Sequence, residues 1–328
     1  MRMLLCLFLI LFLSGCEDEV SLDTACKSIS PLCEKIEADS NCRSLRESVM
    51  VTAYHLQEAD RLKSAGINKL RYDQLMNMEK FVKCSYLQTL IEFVPPETRF
   101  ENADRNPDGS LTEEAQIRLL RYKQSIQKRE KQKKENYLYA RRYQASLNKV
   151  TKGSNSPYLQ YYHWSRHQDE EALAGLRMHY DSGHITQYDM LYFLSQAYSA
   201  YEPEVAESML LASLSVYPPE LYESKNPPSD KKKYVPTLDD GDRLHYPVMR
   251  NLTHYYYSVE NYAMSYLFSK LLHLNNDRSS NITMIREELA KQVDVDDIDE
   301  VAKTLHDALK DGEFSTKFIP LRLKNGKI

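Results

Sequence analysis

Glu204-Val205-Ala206-Glu207-Ser208-Met209-Leu210 and Asn261-Tyr262-Ala263-Met264-Ser265-Tyr266-Leu267 carry alanine, serine and leucine in one register, with no gap. Leu214 then meets Leu271, and Pro218-Pro219 meets Asn275-Asn276, where a helix would stop. Upstream, Glu171-Ala172-Leu173-Ala174-Gly175-Leu176 aligns with the same block, with Ala172 and Leu176 standing 34 residues before Ala206 and Leu210. The step from Ala206 to Ala263 is 57, one such period plus 23 residues. The surplus is visible as a segment over 219–241 rich in proline, lysine and aspartate, which reads as an inserted loop.

The pattern predicts pairs of helices. A small alanine lets the second helix of each pair approach the first, and the leucine four residues on lies on the same face and fills the space between pairs. First helices are expected over 157–165, 187–201 and 247–258, with Ser156-Pro157 and Thr186 as starts. Ala172, Leu176, Ala206, Leu210, Ala263 and Leu267 are therefore the expected packing residues of a domain over 151–312. The spacing resembles that of tetratricopeptide and related helical-hairpin repeats over roughly half the chain, although the family's first-helix glycine and its tryptophan are missing. That resemblance implies stacked pairs with a concave binding surface. A last helix over 296–311, with Ile298, Val301, Leu305 and Leu309 in one stripe, suits a cap. The tail over 313–328 carries Phe318-Ile319-Pro320-Leu321, expected as a short strand or a docked peptide.

At the other end, Arg2 is the only charge before an apolar run from Leu4 to Leu13. A charged start, a run of this length and small residues after it form a secretory signal, too short to span a bilayer. Leu13-Ser14-Gly15-Cys16 resembles the lipobox of bacterial lipoproteins, which implies removal of residues 1–15 and acylation of Cys16. Glu17, rather than aspartate, follows the cysteine; within that family this points to the outer membrane, facing the periplasm. Several acyl chains would anchor the chain stably.

Apart from Cys6 and Cys16, four cysteines remain: Cys26, Cys33, Cys42 and Cys84. An even number in an oxidising compartment reads as two disulfides with three connectivities open. The favoured one joins Cys26 to Cys33 as a local loop and Cys42 to Cys84 as a tie between helices. A zinc site is the alternative, though no C-x-x-C pair is present. Residues 16–42 read as an acidic tether and a segment of little periodicity. Apolar stripes then predict a hairpin of helices over 43–64 and 69–93, broken at Gly66 and stopped by Pro95-Pro96.

Asp104-Arg105-Asn106-Pro107-Asp108-Gly109-Ser110-Leu111-Thr112 resembles an EF-hand calcium loop, with Asp104, Asn106 and Asp108 as hard-oxygen ligands. Its twelfth place is Ala115, and the nearest carboxylate, Glu114, comes one residue early. The competing reading is an Asp-Gly turn before a helix capped by Ser110, with Glu113 closing a capping box. A long helix is expected from about 111 to 149. Within it Gln127–Asn136 holds no apolar residue, so 43–126 reads as one domain and 127–150 as a polar helix or linker. Its positive excess suits either solvent or an anionic surface such as lipid head groups or the wall polymer.

Nine glycines in 328 residues, 42% hydrophobic content and helix-period segments argue for an all-α chain: a disulfide-stapled helical hairpin followed by an α-solenoid of helix pairs. The net charge of −4 suggests no nucleic-acid partner. No serine, cysteine or carboxylate constellation has a catalytic spacing, and no phosphate-cradling glycine loop exists, so the chain reads as a non-enzyme. His163, His167 and Glu171 would face one metal only on a continuous helix, and the repeat register separates them. Tyr161, Tyr162, Trp164, Tyr255, Tyr256 and Tyr257 either join the core or line a groove suited to peptides or sugars. The whole chain resembles uncharacterised Gram-negative envelope lipoproteins that carry one domain of unknown function. The expected function is that of a lipid-anchored adaptor or assembly factor binding an envelope protein without a cofactor. Alternatives are a wall-glycan binder or envelope enzyme using the tyrosines, and a calcium-dependent module around Asp104.

Overall fold

A computed structural model describes residues 20–36, 40–100, 103–222, 245–290 and 295–324. The expected signal, Cys16 and most of the inserted loop lie outside these. Among the described residues the chain is all-α; the nearest thing to a sheet is one antiparallel bridge between Arg105 and Leu111. Two compact units divide between Leu159 and Gln160.

The first unit begins with α1 (Leu22–Ser28) and α2 (Ser30–Lys35), two short helices where the sequence offers little periodicity. Ser21 caps α1, its hydroxyl accepting the Thr24 N–H at 3.3 Å. Helices α3 (Arg43–Arg61) and α4 (Ile67–Thr89) form the expected hairpin, a few residues shorter at each C-terminus. The unit continues through the single turn α5 (Pro96–Arg99) to α6 (Glu113–Thr151), one unbroken helix that carries the apolar-free stretch. Val49, Met50 and Ala53 of α3, Met78 and Phe81 of α4, and Ala140 of α6 meet Ala25, Leu32 and Ile36 in one buried cluster. Two disulfides bind this cluster: Cys26–Cys33 and Cys42–Cys84, with Cα separations of 5.5 and 6.0 Å. Arg46 seals the end of α2 by donating to the carbonyls of Ile36 (2.6 Å) and Cys33 (3.3 Å).

The start of α6 differs from the expected cap. Asp108 accepts both the N–H and the hydroxyl of Ser110, at 2.9 and 2.7 Å, so Ser110 is consumed by the turn. Thr112 caps the helix instead, accepting the Ala115 N–H at 3.3 Å.

In the second unit, α7 (Pro157–His167, begun in the first) leads to α8 (Glu170–Asp181), α9 (Tyr188–Tyr198), α10 (Pro203–Ser215) and the turn α11 (Pro219–Tyr222). After the insertion come α12 (His245–Ser258), α13 (Tyr262–Leu274), α14 (Ile282–Leu289) and α15 (Asp296–Lys310). The pairs α9/α10 and α12/α13 pack along their lengths, and α10 also packs on α12. Serines stitch each pair: Ser213 donates to the Tyr188 carbonyl at 2.8 Å, and Ser265 to that of Thr253 at 2.9 Å. A Cβ at Gly175 would lie 2.2 Å from the Gln160 amide nitrogen, so a larger residue there would require the Gln160 side chain to move. Helix α13 is the centre: nine of its thirteen residues are buried, against α12, α14 and α15. Such an all-round apolar helix has no solvent face.

The tail forms no strand. A 3-10 turn (Thr316–Phe318) precedes α16 (Leu321–Lys324), and Ile319 and Leu323 are buried. The Asn261 side chain joins this tail to the core. Its oxygen caps α13 by accepting the Met264 N–H at 3.1 Å, while its amide donates to the Leu323 and Lys324 carbonyls at 3.0 and 3.1 Å.

Candidate functional site

Leu176, Ala206, Leu210, Ala263 and Leu267 are all buried and Ala172 is half-buried. The turns refine their alignment. Before α8 stands Gln168 with φ of 52°, then the cap Asp169; before α13 stands Glu260 with φ of 59°, then the cap Asn261. Superposing these turns sets Ala172 against Met264 and Leu176 against Phe268, one residue from the side-chain alignment. Helix α10 starts differently, with Pro203 in its first turn.

The aromatic set is divided by its surroundings. Tyr161, Tyr162 and Tyr256 are core residues, Trp164 and Tyr255 are half-buried, and Tyr257 is exposed. Tyr161 stacks on Phe193 at 4.5 Å between centroids, and burial pushes its hydroxyl up to about 12. Tyr256 stacks on Phe268 and donates to the Glu207 carboxylate; burial, then that carboxylate, holds its proton far above the usual phenol range. Tyr266 donates to Asp299 at 2.9 Å, and Lys270 reaches the other oxygen of the same carboxylate at 2.7 Å. Burial first, then Asp299, raises Tyr266 to about 12. Tyr256 and Tyr266 are held neutral as hydrogen-bond donors. Asp299 and the pair Arg250–Asp277, joined at 2.9 Å through Nε, are polar contacts that periodicity alone does not reveal. Their only signal is that Arg250 and Lys270 are each the single lysine or arginine on their helices, α12 and α13.

The acidic loop turns its polar groups on itself. Arg118 pairs with Asp104 at 3.1 Å, the Asn106 amide donates to Ser110 and to the Leu111 carbonyl, and Arg105 donates to the Gly109 carbonyl at 2.9 Å. The Asp108 carboxyl is held below its ordinary range by the Ser110 hydroxyl and backbone. Glu114 lies in the first turn of α6. His163 and His167 share α7, with ring centroids 5.6 Å apart, whereas Glu171 belongs to α8. His179 and His184 lie 6.1 Å apart across the end of α8. Among the described residues no three His, Cys, Asp or Glu are grouped to hold a metal ion. Cys26, Cys33, Cys42 and Cys84 are all consumed in disulfides. No described helix is long and apolar enough to cross a membrane.

Helix α6 presents a long, strongly charged surface. It carries eleven lysines and arginines against four glutamates, on a chain whose formal charge is −4. Two of its cations lie over Phe93, Lys133 at 4.5 Å and Arg129 at 6.0 Å from the ring centre.

Neither the curated proteins nor the solved structures provide a match to this chain. A family described as "Protein of unknown function (DUF2989)" matches over residues 13–119 and 111–270. These two stretches cover the first unit from residue 13 and the second as far as residue 270, and the chain belongs to that family of uncharacterised function.

Proposed function

We propose that this protein is an outer-membrane lipoprotein, facing the periplasm, whose helix pairs hold a protein partner as an adaptor or assembly factor. The observation that carries the reading is the succession of helix pairs in the second unit, sealed by buried serines and capped by the α15–α16 end. Stacked pairs of the tetratricopeptide kind bury one side of each helix against the next pair and leave an extended surface for a peptide or protein. Two disulfides in the first unit agree with folding in an oxidising compartment. Leu13-Ser14-Gly15-Cys16 supplies the anchor, with acyl chains on Cys16.

Cells making the native chain or Cys16→Ser would be fed labelled palmitate, cross-linked and extracted through a carboxy-terminal tag. The expected result is label on the native chain alone, and one protein in near-equal amount bound to it. A label on both forms, or none on either, ends the anchor reading. Recovery of no partner from either form ends the adaptor reading.

A further inference from the structure

At 3.6 residues per turn, Leu120, Gln124, Gln127, Lys131, Lys134, Leu138, Arg142, Ala145 and Lys149 follow one another at intervals of three and four and form one stripe along α6. Every residue of the stripe is exposed. The opposite side of the helix bears its buried residues, Ala115, Asn136, Ala140 and Thr151. Lys123, Lys128 and Arg141 flank the stripe and are exposed too. Three exposed carboxylates border it: Glu113 at its start, Glu130, and Glu135, 3.8 Å from Lys131.

We propose that this outward face of α6 lies on an anionic phospholipid surface. Three features point there. Cations run the length of the helix, on a chain that is acidic elsewhere. Leucines stand among them: Leu120 is 57% exposed and Leu138 44%, large apolar groups that gain by entering the head-group boundary. The polar stretch without apolar residues is also continuous helix, so its charges are held in register instead of being spread along a linker.

Placement, which rests on the lipid-anchor reading, favours lipid over an acidic protein. Only residues 17–21 separate Cys16 from α1, a reach of at most about 20 Å. Helix α1 packs on α3, in the same compact unit as α6. Ala25 of α1 packs with Ala140 on the buried side of α6, so the tether leaves from that side. Its reach of about 20 Å lets the unit turn the basic face to the membrane, where each lysine or arginine strengthens partition about fivefold.

The test uses the chain from residue 17 onward, both units included and no acyl chain, sedimented with vesicles. Binding to vesicles containing phosphatidylglycerol, with little to phosphatidylcholine alone, is expected. The binding should vanish in about 1 M salt, where the screening length is about 3 Å. Changing Lys131, Lys134 and Arg142 together to glutamine should weaken it about a hundredfold. The charge-keeping set Lys131→Arg, Lys134→Arg and Arg142→Lys should bind as the native chain does, with circular dichroism confirming equal helix content. Equal binding to both vesicles, undiminished binding by the glutamine variant, or capture by isolated wall sacculi without vesicle binding would each overturn the proposal. Palmitate labelling of the full chain reads the anchor separately, so loss of one result leaves the other standing.

Discussion

Helices α6 and α13 are opposite solutions to being a helix. The first has four buried residues in thirty-nine; the second has nine in thirteen. The units around them differ in the same sense. The stretch to Leu159 contains both disulfides, and the stretch from Gln160 contains no cysteine. A unit that gives its longest helix a wet face has less apolar area to bury, and cross-links offset this by restricting the unfolded chain. A unit that wraps its central helix on all sides has no such need.

Reduction should break this contrast most strongly. Opening Cys42–Cys84, which closes a loop 42 residues long, should cost about 4 kcal/mol, and opening Cys26–Cys33, 7 residues long, about 2.5 kcal/mol. Amide exchange with and without reductant would read it: protection in α3 and α4 should collapse while that in α12 and α13 persists. Equal loss in both units would show that the second depends on the staples of the first. Phe268→Ala tests the other side. Phe268 is fully buried and stacked on Tyr256, so its truncation should cost about 3–5 kcal/mol in urea unfolding followed in the second unit. A cost under about 1 kcal/mol would mean that α13 is not the keystone its burial suggests.

The smallest effect is one of pH. Tyr161 loses its proton near 10.0 when unfolded and near 12 when folded. The neutral phenol thus favours the folded state fully below pH 10, and that contribution is lost as pH climbs towards 12. The loss over that interval is about 2–3 kcal/mol. Tyr161→Phe should remove this part of the alkaline slope, measured as urea midpoints at pH 9 to 12; an unchanged slope would place the titration elsewhere.

Much of this architecture was legible in residue order. The apolar stripes of α3 and α4 mark the hairpin, and Pro95-Pro96 marks its end. The polar run over 127–136 reads as a helix or a linker; it is continuous helix, with no glycine or proline to interrupt it. The helices α1 and α2 were not legible. At seven and six residues they are too short to show a period, and they depend on Ser21, Arg46 and a disulfide for their ends. The cap of α6 misleads for a local reason: two hydroxyls stand two residues apart, and Asp108 decides which is free by engaging the first. The fate of the tyrosines is a tertiary matter. Tyr256 and Tyr257 are neighbours with the same chemistry, one buried and one exposed, and only the packing of α13 separates them.

The two disulfides join cysteines in strict succession, first to second and third to fourth, without crossing or nesting. A chain oxidised as it emerges from its amino end meets its correct partners in that order. With the Cys16 thiol acylated, each pair can close before the next cysteine arrives. In an oxidising compartment, that order would let oxidation alone reach the native cross-links.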